Sequence, residues 1–119
     1  MWKITASQMR EMGRVMQQRF ELGAMDYLRT NFADWSKSKS DAELLGFIRL
    51  GINRARVHGV TTEADVLRYL DYMVIYGQEF DTEPATSWAG EILCSQELSG
   101  TEKMDRIDSY DQFVMNRNA

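Results

Sequence analysis

Three tetrads of one chemical type punctuate this chain: T-A-S-Q from Thr5 to Gln8, S-D-A-E from Ser40 to Glu43, and S-G-T-E from Ser99 to Glu102. Each has the form of a capping box. The hydroxyl takes the backbone N–H three residues on, and the Glu or Gln side chain reaches back to the first N–H. Such a box satisfies amide donors that a helix start leaves without partners, so each tetrad marks a helix beginning. A fourth start falls at Thr61 or Thr62, where Glu63 and Asp65 place negative charge in the first turn. The stops are as legible. Gly59 and Gly77 each close an apolar-periodic run, the position where a helix commonly ends on a left-handed residue. Helix-breaking Pro occurs once and no Asn-Gly or Asp-Gly hairpin turn is present. The expected fold class is all-α, a single-domain bundle of four to five helices.

In chain order, the first helix runs from Thr5 to about Asn31. Met9, Met12, Met16 and Phe20 form one face, continued by Leu22, Met25, Leu28 and Phe32. A Met stripe suits a pliable binding groove, because Met repacks easily, but core is the weightier reading. Ala33 to Lys39 lacks a period and reads as a loop, with Trp35 tucked onto the core. The second helix presents Leu44, Leu45, Phe47, Ile48, Ile52 and Ala55, with Gly51 allowing close helix approach. The third presents Val66, Tyr69, Leu70, Met73 and Val74, widened by Tyr72, Ile75 and Tyr76. A short helix after Pro84 carries Trp88, Ile92 and Leu93, and a last one carries Met104, Ile107, Tyr110 or Asp111, and Val114. Residues 1–93 read as a helical core domain. Residues 94–119 read as a polar C-terminal segment whose narrow apolar stripe suits fraying, swapping or docking.

Charge divides the chain more sharply than its net value of −4 suggests. Residues 1–60 hold ten Lys/Arg against six Asp/Glu, and residues 61–119 hold four against twelve. The acidic half argues against nucleic-acid binding, whose affinity rests on phosphate contacts, and suits steering of a basic partner. Solvated helix faces carrying ordinary charge are the simpler account. No apolar run approaches the roughly 20 residues that span a bilayer, and the start M-W-K-I-T-A-S-Q is unlike a signal peptide. The single cysteine, Cys94, leaves no intrachain disulfide. A cytoplasmic location is expected, with no membrane contact and no cofactor.

Chemistry-bearing residues are few. His58 is the sole histidine and reads as a helix C-terminal residue favoured by the dipole. Glu79, Asp81 and Glu83 alternate around Phe80 in Q-E-F-D-T-E-P. Such spacing is compatible with a Ca²⁺ loop or a carboxylate pair, yet it lacks the Gly and distal Glu of an EF-hand. Loop solvation explains these acids more cheaply. An enzyme, metal- or carboxylate-dependent, therefore stands as the alternative reading, and it predicts that several of Asp71, Glu79, Asp81 and Glu83 converge. A third is a structural self-associating module, with the Met stripe and terminal helix forming a homodimer.

The segments I-T-A-S-Q-M, Y-L-R-T-N-F, F-I-R-L-G-I-N-R-A-R-V-H-G-V, R-Y-L-D-Y-M and G-Q-E-F-D-T-E-P-A-T-S-W-A-G-E-I-L lie within residues 4–93. Together they resemble a group of small bacterial proteins associated with loci for type VI secretion spikes and their toxic effectors. The resemblance implies a non-catalytic partner protein of a cognate effector or spike protein, either an accessory loading factor or an immunity protein. The contact candidates are then Asp71, Glu79, Asp81, Glu83 and Trp88, read as exposed charged and aromatic anchors. For Trp88 a role in the fold is the better expectation.

Overall fold

The structure, a computed structural model, describes the backbone of residues 6–118 and the side chains of residues 16–113. The Thr5 capping box and the side chains of Met9, Met12 and Val114 lie outside the described residues. The elements are α1 (Ala6–Asn31), α2 (Ala33–Ser36), α3 (Asp41–Val57), α4 (Glu63–Tyr76), a short 3-10 turn (Pro84–Thr86), α5 (Ser87–Leu93) and α6 (Gly100–Asn118). No strand occurs among the described residues, and the chain is all-α. None of these helices is long and apolar enough to cross a membrane.

The helix starts follow from the capping chemistry. Ser40 Oγ accepts from Glu43 N–H at 3.1 Å while Glu43 Oε1 accepts from Ser40 N–H at 3.1 Å. Ser99 and Glu102 make the same reciprocal pair at 3.1 and 3.0 Å. Both carboxyls are held below the usual carboxylate range, chiefly by the backbone N–H each one accepts. Thr62, not Thr61, caps α4 by accepting from Asp65 N–H. Gly59 and Gly77 take φ of +77° and +111°, which a side chain would strain.

Two compact units divide the chain, Met1–Arg49 and Leu50–Ala119, with the boundary inside α3. In the first unit the expected loop at Ala33–Lys39 is instead a single helical turn, closed by Ser36 N–H to Phe32 O and Lys37 N–H to Ala33 O, both at 2.9 Å. Trp35 drives this. Its ring meets Phe47 edge-on at 4.7 Å, and the Lys39 ammonium sits 4.8 Å over it. Arg29 secures the turn, donating to Ser36 O, Lys39 O and Asp41 Oδ1. The buried side of α1 also differs from the Met stripe. Glu21, Ala24 and Leu28 are buried, whereas Met16 and Leu22 are 57% and 69% exposed. A carboxylate is tolerated inside because Arg49 Nε donates to Glu21 at 2.9 Å and Gln17 adds a second bond. The same Arg49 bond, against opposing burial, lowers the Glu21 pKa.

The second unit holds the rest of α3, then α4, the turn, α5 and α6. Gly51 lies where a Cβ would overlap the Leu70 side chain, so the small residue in α3 permits close approach. The boundary between units is not at Leu93/Cys94, and α6 is no loose tail. Met104 and Ile107 are fully buried, worth about 2 kcal/mol each. Lys103, also buried, donates from Nζ to His58 O at 2.7 Å, satisfying a carbonyl just past the end of α3. Gly100 packs so tightly on the backbone of Gly59 and Val60 that a Cβ would collide with it. The apolar stripe of α6 suffices because its carboxylates are also engaged within the fold.

Candidate functional site

The acidic loop is the first place to test. Phe80 turns its ring inward, against Tyr69 at 4.9 Å and Tyr72 at 6.0 Å, and is fully buried. Thr86 Oγ1 donates to Phe80 O at 2.6 Å, and Gly90 of α5 packs directly against Asp81 O. With the backbone so pinned, Asp81 points into the second unit. It is 8% exposed, and its oxygens accept from Arg54 Nη1 at 2.7 Å and His58 Nε2 at 3.1 Å. Because a carboxylate only accepts here, His58 donates from Nε2. Beside them the Tyr69 hydroxyl is buried with no hydrogen-bond partner among the described residues. Burial first, and the Asp81 charge second, push its pKa well above the usual phenol range.

This cluster has a histidine, a carboxylate and a phenol, but among the described residues no hydroxyl or thiol hydrogen-bonds to His58. Cys94, at the C-terminal end of α5, is exposed. The group ties the end of α3 to the loop after α4. Asp81 is thus not an exposed anchor. A buried, doubly paired carboxylate has no face left for a partner. Glu79 joins it through Arg54 at 3.5 Å but is itself exposed. Glu83 is exposed, and Asp71 is half-buried on α4 and already engaged. Among the described residues, no group of three or more His, Cys, Asp or Glu side chains is placed to hold a metal ion.

A second polar cluster centres on Arg68 of α4. Its guanidinium donates to Asp65, Asp105 and Asp108, and Asp65 also accepts from Thr62 and Thr101 hydroxyls. Burial opposes the Arg68 charge, yet the three carboxylates raise its pKa above the ordinary value. Asp65 is lowered: burial works against its charge, and the Thr101, Thr62 and Arg68 bonds outweigh it. Tyr72 donates to Asp108 and Tyr76 to Asp111. Burial and these carboxylates raise both phenols, Tyr76 to about 12. These bonds clamp α6 against α4.

That clamp decides which side of α6 faces outward. With Met104, Ile107, Asp108 and Asp111 turned toward α4, the opposite side carries Glu102, Arg106, Ser109, Tyr110 and Phe113, with Asp105 at its edge and held by Arg68. Together with Ile92 of α5 and Leu98 of the intervening loop, these residues line an open groove of about 570 Å³. Tyr110 and Phe113 remain 41% and 58% exposed. Tyr110 is held from behind by Trp88, stacked at 4.8 Å, and Trp88 in turn meets Tyr76 edge-on at 5.7 Å. Exposed aromatic surface on a rigid backing is the form of a recognition surface.

No protein-family model, curated protein or solved structure matches this chain.

Of the five expected contact residues, only Trp88 bears on the groove, and it does so from behind. Ile92 and Tyr110 read from sequence as members of apolar stripes, and the other lining residues belong to no motif of their own. A signal was present in the spacing. Tyr110 and Phe113 sit three apart, but out of phase with Met104 and Ile107, so α6 carries apolar residues on two sides.

Proposed function

We propose that this chain is a non-catalytic binding protein of the bacterial cytoplasm that engages a protein partner through the groove between α5 and α6. The observation that carries the reading is the exposure of Tyr110 and Phe113 beside Ile92 and Leu98 in one open groove. Monomeric surfaces seldom leave large aromatic and aliphatic residues contiguous without a use. The pairing of buried Asp81 with half-buried His58 and with Arg54 favours binding over chemistry, since these side chains are committed to the fold. The resemblance noted above would make the partner a cognate secreted effector or spike protein, with this chain loading or neutralising it.

Affinity capture from the native lysate tests the reading. Wild-type chain is expected to retain one stoichiometric protein that the Phe113→Asp variant loses and the Ile75→Ser variant keeps. Ile75 is a comparably exposed apolar residue on α4, away from the groove lining. A partner retained equally by Phe113→Asp would overturn the assignment of the groove.

A further inference from the structure

The lining of the groove also carries information about the chemistry of its occupant. Resting on the binding role proposed above, we infer that the groove takes a basic amphipathic helical segment of another protein.

Length is the first argument. The lining positions Glu102, Asp105, Arg106, Ser109, Tyr110 and Phe113 follow one side of α6 from its first turn onward. At about 1.5 Å per residue that side extends roughly 16 Å. A partner helix of about three turns laid alongside matches it, with apolar side chains at i, i+3 or i+4 and i+7 reaching Ile92, Leu98, Tyr110 and Phe113.

Charge is the second. In the lining, Glu102 is set against one cation, Arg106, and Asp105 is already paired with Arg68 at 2.7 Å, so the uncompensated acid comes from the glutamates beside the lining. Glu102 stays ionised, since the Ser99 backbone N–H holds its pKa down. Glu91 and Glu97 adjoin the lining residues Ile92 and Leu98 in sequence, are exposed, and make no ion pair among the described residues. The chain from residue 61 onward carries twelve acids against four Lys/Arg. Lys and Arg flanking an apolar stripe complement that rim, and the attraction hastens encounter. A second copy is disfavoured, because it brings an equally acidic rim to the contact and gains no charge complementarity. Phosphate-bearing partners meet the same repulsion.

Selection from a display library of random helix-forming peptides, with immobilised full-length chain as bait, tests the inference. Peptides are counter-selected on the Phe113→Asp chain, then synthesised and titrated by fluorescence anisotropy at low and high salt. The expected ligands carry Lys or Arg around apolar residues at helical spacing. Phe113→Ser should weaken them about 30-fold, the loss typical of an interface anchor. The Glu91→Gln, Glu97→Gln pair should weaken them about tenfold at low salt and far less at high salt. Circular dichroism and unfolding midpoints of each variant establish that the fold is retained. Groove-dependent ligands that are neutral or acidic would overturn the basic partner while leaving the groove reading intact. No ligand sensitive to Phe113 would overturn both. A concentration-dependent doubling of mass that Phe113→Asp abolishes would make a second copy the occupant and overturn the inference.

Discussion

The indole of Trp88 lies nearly parallel to the ring of Tyr110, with centroids 4.8 Å apart and 19° between their planes. One residue belongs to α5 and the other to α6, so this stack sets the rear wall of the groove. Tyr76 closes the set by meeting the edge of Trp88. Trp88→Ala removes both contacts and is expected to cost about 3 kcal/mol, the low end for loss of a large aromatic. Phe113→Ser, at an exposed position, should change stability by less than about 0.5 kcal/mol. Urea unfolding of the two variants checks the contrast between support and contact.

Asp81 and Glu79 share Arg54 but differ in burial, and substitution should separate them. Asp81→Asn leaves Arg54 and His58 facing a neutral amide in a buried place and should cost about 3 kcal/mol. Glu79→Gln breaks an exposed pair at 3.5 Å and should cost under about 0.5 kcal/mol. Equal effects in chemical denaturation would contradict the structural role given to Asp81.

The glycines offer a finer probe. Gly23 and Gly46 lie in helices with open space at the Cβ position, so Ala at either should stabilise by about 0.5–1 kcal/mol through helix propensity. Gly100→Ala drives a Cβ into the Gly59 carbonyl, where backbone must move. It should destabilise by more than about 1 kcal/mol, exceeding any propensity gain. Gly51→Ala meets the Leu70 and Met73 side chains and no backbone, and should fall between them. Thermal midpoints of the four single variants give the ranking.

Alkaline pH should weaken the fold. Tyr69, Tyr72 and Tyr76 all have pKa values raised above 10.0, Tyr76 to about 12, by burial and by neighbouring carboxylates. A raised pKa means the native state keeps its proton after the unfolded chain has lost it. Stability from each phenol is then complete below about pH 10 and falls as pH climbs toward the folded value. The slope is about 1.4 kcal/mol per pH unit for each tyrosine held protonated. Urea midpoints measured from pH 8 upward should drop beyond about pH 10, and Tyr76→Phe should make that drop shallower.

Local chemistry in the sequence was enough to place most helix boundaries. The Ser40 and Ser99 boxes, the Thr62 cap and the Gly59 and Gly77 stops act within one turn of chain, so adjacent residues determine them. The buried sides of α3 and α4 were legible for the same reason: Leu44, Ile48, Tyr69, Leu70 and Met73 recur at helical spacing. Which carboxylates are buried was decided only by tertiary structure. Glu21 and Asp81 enter the interior because Arg49 and Arg54 arrive from residues 28 and 27 positions away. An isolated acid reads as solvated, and the partner that reverses this lies elsewhere in the chain. The groove has the same origin. Spacing alone leaves α6 with two apolar sides, and the clamp of Arg68, Tyr72 and Tyr76 on its aspartates selects which one is covered. Helix ends are short-range hydrogen bonding; the exposed recognition surface is what remains after long-range packing has chosen.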